Sequence, residues 1–127
     1  MYRSSHTDVD YLTDCNVVLL KRKKFCRHEE YRAPLLHALE IIRGHEGCQY
    51  VADTRDGFEN DPDDTRWLIE EFLPATAATT CTRIFFIIAR DNRLKEELEG
   101  QAVELRKLFE VHYCFDIDEV REIQARG

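Results

Sequence analysis

"TRIFFIIA", residues 82–89, contains six consecutive apolar residues from Ile84 to Ala89. A half-exposed strand would alternate apolar and polar positions. An unbroken run of this length predicts a strand covered on both faces, as in the middle of a parallel sheet. Parallel neighbours need long crossover connections, usually helices, so the flanking sequence should supply helices on both sides.

It does. Upstream, "CQYVAD" (48–53) is a second short apolar run and predicts a buried strand. Between the two strands, "DPDDTRWLIEEFL" begins a helix. Asp61 suits the N-cap, Pro62 the first helical position, and Asp63 and Asp64 complement the positive end of the helix dipole. Pro74 should kink or break this helix, with "ATAATT" carrying the remainder. Downstream, a helix is expected over about 93–109. Leu94, Leu98, Ala102, Leu105 and Phe109 share one face, and Arg93–Glu97 and Lys95–Glu99 sit at i,i+4 spacing. "EVHYCFD" is a last strand and "IDEVREI" a last helix, with Asp116 placed to cap it.

Further upstream, Tyr31, Leu35, Ala38, Leu39 and Ile42 mark one face of a helix over about 29–46. Pro34 implies either a regular part that starts there or a kink. Gly44 and Gly47 are stop signals. Before it, "VDYL" (9–12) and "NVVLLKRKKF" (16–25) form a hairpin across "TDC", with Asp14 or Asn16 tolerating the turn. The order is ββαβαβαβα. It defines an α/β domain with a five-stranded mixed sheet, flanked by about four helices. The crossovers are right-handed, and the hairpin adds one antiparallel strand at an edge.

Bulk properties narrow the function. The 127 residues form one domain that needs no staple to fold. The net charge of -7 disfavours nucleic acid as a partner, and the single basic run, Lys21–Lys24, reads as the solvated end of a strand. No apolar run approaches a membrane span, and the first ten residues lack the apolar core of a signal peptide. Five single cysteines without a Cys-x-x-Cys pattern fit free thiols in a reducing cytoplasm. Cys26, His28, His45 and Cys48 resemble a zinc set on paper. The intervening helix separates the two pairs by about 25 Å, so no metal site is expected. His112 and Cys114 share a strand face, which fits packing better than chemistry. No Gly-rich phosphate loop follows any strand, and no nucleotide or other cofactor is expected.

The chain resembles the STAS-like fold of anti-sigma-factor antagonists, and more closely its SpoIIAA-like branch, which is grouped with the Sec14-type (CRAL-TRIO) lipid-carrier architecture. The likeness spans about residues 11–124. It rests on "ADTR" (52–55), on Trp67 with Pro74 in "WLIEEFLP" (67–74), on "RIFFII" (83–88) and on "FDIDEV" (115–120). The resemblance implies a non-enzymatic regulatory or protein-interaction module. It also implies an alternative, a carrier of a small apolar, lipid-like ligand. The phosphorylated serine of true antagonists has no counterpart in "FENDPDDTRW". Thr65 is the only nearby hydroxyl, and it follows two aspartates, so the serine switch does not carry over.

In open α/β sheets, ligands gather at the carboxyl ends of the strands. That edge should hold Asp53, Thr54, Arg55 and Asp56, then Arg90, Asp91 and Asn92, then Asp116. These residues form either a binding crevice or a set of turns and caps paired with one another, such as Asp53 with Arg55 or Arg90. Trp67 belongs either to the core or to an exposed apolar patch. The candidate binding set is therefore Asp53, Arg55, Asp56, Trp67, Arg90 and Asp91, on a surface built from residues 54–73. A protein partner or self-association as a homodimer is expected there. An enzyme using Asp53, Arg55 and Asp91 is the third alternative, although no nucleophile–base or metal constellation accompanies those residues.

Overall fold

A computed structural model describes residues 2–56, 61–89, 103 and 105–126. Its strands are β1 (Tyr2–Arg3), β2 (Thr7–Leu12), β3 (Val17–Arg22), β4 (Gln49–Asp53), β5 (Arg83–Ile87) and β6 (Glu110–Cys114). They form a single mixed sheet of six strands in chain order. β1, β2 and β3 pair antiparallel, and β3, β4, β5 and β6 pair parallel. The α/β class and the mixed sheet match expectation. The strand count does not: the expected five become six, because Tyr2–Arg3 pairs with β2 in the register Tyr2↔Val9. A two-residue strand has no periodicity to read.

The helices are α1 (Glu29–Gly44), α2 (Pro62–Trp67), a π-helical turn (Leu68–Phe72), α3 (Leu73–Ala77) and α4 (Ile117–Arg126). The helix expected over 93–109 lies mostly outside the described residues, although Val103 and Leu105 are helical. α1 starts at Glu29 and runs through Pro34. It ends at Gly44, two residues short of the expected limit, and Gly47 then takes φ +77 in the turn that follows. In the hairpin, Asn16 rather than Asp14 adopts positive φ, at 54. Its side chain accepts from the Tyr11 hydroxyl at 2.7 Å and donates to the Glu46 carbonyl at 3.0 Å. β3 ends at Arg22, not at Phe25.

Pro74 neither ends nor interrupts the helical path from 62 to 77. A proline cannot donate to the carbonyl four residues back, so an α-helix loses a bond there. Here the preceding turn is π-helical, with the Leu73 N–H bonded to the Leu68 carbonyl, five residues back. The wider turn absorbs the mismatch at Pro74.

β3 to β6 follow one another in space as in sequence, an order in which crossovers of one hand return on the same face. That face buries Val18, Leu20, Tyr50, Ala52, Ile84 and Phe86 against α1, the π turn, α3 and Leu105. The opposite face buries Val17, Val51, Phe85, Ile87 and Cys114 against Val120 of α4, with Ile117 and Ile123 beside it. Alternate residues of β5 thus serve two cores, which is why Ile84–Ile88 is apolar throughout.

Candidate functional site

At the carboxyl end of β4, Asp53 is 2% exposed. It lies in register with Lys21 on β3 and Ile87 on β5. Its carboxylate accepts two bonds from the Arg55 guanidinium, from Nε at 3.0 Å and from Nη2 at 2.7 Å. It also accepts the Arg55 backbone N–H at 3.2 Å. This forked geometry is the strong form of an arginine–carboxylate bond. It raises the Arg55 pKa above its ordinary value, with Asp56 and Asp116 adding smaller contributions. Thr54 ties the same loop to β5, since its N–H and its hydroxyl both donate to the Ile87 carbonyl at 2.9 Å. Asp56 is exposed. Arg90 and Asp91 lie outside the described residues. Asp116 caps α4, accepting the Glu119 N–H at 3.0 Å while Glu119 accepts the Phe115 N–H at 3.0 Å. Of the strand-end residues, Asp53 and Arg55 pair with each other and are closed on each other.

A second polar knot was not legible in the sequence. Asp61 caps α2 as expected, accepting the Asp63 N–H at 2.9 Å. Asp64, by contrast, is completely buried. One of its oxygens accepts the His28 N–H at 2.8 Å and the other accepts from Arg32 Nε at 3.0 Å. His28, at the start of α1, has φ 54 and ψ -124 and makes no side-chain cap bond of its own. A carboxylate from another helix thus satisfies an orphan donor at the helix start. The Arg32 guanidinium lies 5.4 Å above the Trp67 ring. Trp67 is half-buried and packs 6.2 Å from Phe72, ring to ring. The available signal was spacing: Asp64 precedes Trp67 by three residues and Leu68 by four, which puts it on the inward side of α2.

The same contact brings His28 to α2. One donor atom each from His28, Asp61 and Asp63 lie within 4.8 Å of one another. Along the chain His28 sits near Cys26 and one helix away from His45 and Cys48, so this set emerges only from the packing of α1 against α2.

Burial pushes the Cys48 thiol up to about 12 and those of Cys81 and Cys114 up to about 11, so all three stay protonated near neutrality. Cys26 is buried, and Cys15, half-buried beside Asp14, is also raised. His112 stacks on Phe85 at 5.2 Å and bonds Glu110 at 2.6 Å, and Arg83 bridges to the same carboxylate at 2.9 Å. The His112 hydrogen bond, with Arg83 adding, holds the Glu110 pKa below its ordinary value. At the other end of the sheet, an open groove of about 660 Å³ runs between the last turn of α1 and the end of α3, beside Arg43, Glu46, Ala75 and Thr79. Among the described residues, no helix is long and apolar enough to cross a membrane.

No protein-family model matches the chain, and neither the curated proteins nor the solved structures yield a match.

Proposed function

We propose that this protein is a non-catalytic regulatory module of the STAS/SpoIIAA-like type, without the serine switch, that acts by self-association through the face of α2 and the π turn. The observation that carries this reading is the partly open apolar run Trp67–Leu68–Ile69. All three residues are partly buried against the core and keep the smaller part of their surface open, while Phe72 and Leu73 behind them are buried. The helix holds more apolar surface than one core-facing stripe requires. Asp63, Arg66 and Glu70 give this face an exposed polar rim. Asp64, locked beneath it by α1, fixes the helix in place and so reduces the ordering cost of docking. The closed Asp53–Arg55 pair and the protonated thiols support a binding role over a catalytic one. The lipid-carrier alternative needs an apolar enclosed space, and the groove beside Arg43 and Glu46 lends it no support.

The test is sedimentation equilibrium of the wild-type chain and of Ile69→Asp. The expected result is a wild-type dimer whose dissociation constant rises at least tenfold in the variant, with an unchanged far-ultraviolet spectrum. A dimer that Ile69→Asp leaves intact but Leu36→Asp disrupts would move the interface to the exposed side of α1 and overturn the assignment.

A further inference from the structure

We propose that His28, Asp61 and Asp63 bind one divalent first-row transition-metal ion, linking the start of α1 to the start of α2. This does not depend on the self-association reading.

The three donors come from the end of the β3–α1 connection (His28) and from the cap and first turn of α2 (Asp61 and Asp63), which follow the carboxyl ends of β3 and β4, where open α/β sheets hold ligands. Their donor atoms already lie within 4.8 Å of one another. Around an ion with metal–ligand bonds of about 2.1 Å, neighbouring donors sit roughly 3 Å apart. The required closure is small, and two of the three side chains are free to make it: His28 is 56% and Asp63 64% exposed. The third is anchored. Asp61 is mostly buried, and its Oδ1 already accepts the Asp63 N–H. Its Oδ2 lies 4.0 Å from Arg27 Nη1.

The position of His28 is set by structure, not by chance. Its left-handed backbone is held by the bond from its N–H to buried Asp64, which belongs to the same helix start as Asp61 and Asp63. The ring reaches Asp61, with Nε2 3.9 Å from Oδ1. One imidazole with two carboxylates suits manganese, iron, cobalt or zinc better than magnesium or calcium, which prefer all-oxygen sets. Three protein ligands also leave coordination positions open. Three groups oppose a cation here: the helix dipole of α2, Arg27, and Arg66, whose Nη1 lies 4.0 Å from Asp63 Oδ1. The two carboxylates outweigh the dipole, and Arg27 and Arg66, 65% and 67% exposed, can swing away.

The experiment is a titration of the metal-stripped full-length chain with Mn2+, followed by the paramagnetic resonance of the free ion. Paramagnetic broadening of amide signals then maps the site. The expected result is saturable binding of one ion per chain, with broadening centred on residues 27–29 and 61–64. His28→Gln and Asp63→Asn should each weaken binding at least tenfold, and Arg27→Ala should strengthen it. Both weakened variants retain the Asp61 cap and the bond from the His28 N–H to Asp64, and circular dichroism checks their fold. Absence of saturable binding at millimolar Mn2+, broadening centred elsewhere, or an affinity that His28→Gln does not change would each overturn the proposal. The broadening map on the wild-type chain decides the matter even if a variant fails to fold.

Discussion

At Asp64, a carboxylate with no exposed surface accepts bonds from the His28 N–H and the Arg32 guanidinium, joining two helices that are far apart in sequence. Arg32→Ala would strand that charge in the interior, and a loss of about 3–5 kcal/mol is expected. Urea denaturation measures it, and a loss below about 1 kcal/mol would show that the pair is dispensable. Gln49 plays a similar part on the sheet. Its Oε1 accepts the N–H groups of Thr82 and Arg83 at 2.8 and 2.6 Å, and its Nε2 donates to the Gly47 carbonyl at 3.0 Å. Gln49→Leu removes the partner of two backbone donors, and a loss of about 2–4 kcal/mol is expected by the same measurement. The thiols predict a pH dependence. Unfolded thiols release their protons near their ordinary value of 9.0, whereas burial keeps those of Cys48, Cys81 and Cys114 bound up to about 12, 11 and 11. Between those limits the unfolded chain binds fewer protons than the folded one, so stability falls as pH rises above about 9. Urea midpoints at pH 8, 9 and 10 should decline, and Cys48→Ala should flatten the decline. At this scale the sequence showed roles that depend on neighbours a few residues away, such as the Asp61 cap and the Asp53–Arg55 pair. It concealed Asp64 and the Oε1 side of Gln49, whose partners lie more than thirty residues away.

Elements were legible where their period was long enough to count. β4 and β5 were clear as apolar runs and α1 as a repeated stripe, with limits that shifted by a few residues. β1 was too short. β3 takes in only the first half of the basic run, Lys21 and Arg22, and Arg22 turns inward, donating to Thr7 Oγ1 at 3.0 Å and lying 4.2 Å over the Tyr31 ring. The π turn before Pro74 was hidden because proline signals a lost bond without saying how the helix accommodates it. α4 is the element with the sharpest consequence. It is the described helix that closes the second core, through Val120, which has no exposed surface. Val120→Asp should detach it and cost more than about 3 kcal/mol, with amide exchange accelerated along β3 to β6. Unchanged exchange there would mean that α4 does not hold the sheet.

For the whole molecule, the sequence indicated parallel neighbours with right-handed crossovers. It did not convey the strictly sequential strand order, nor that α1, the π turn and α3 pack on one face while α4 covers the other. Asp53 and Arg55 lie at the carboxyl end of β4, and the π turn keeps part of its apolar surface open. The functional account rests on that surface pairing with a second copy of the chain. The most direct test is native mass spectrometry of the untagged, metal-stripped chain beside a denatured control. The account predicts a dimer of the 15.0 kDa chain with no added mass. A monomer, or any species carrying a stoichiometric organic mass that is lost on denaturation, would contradict it.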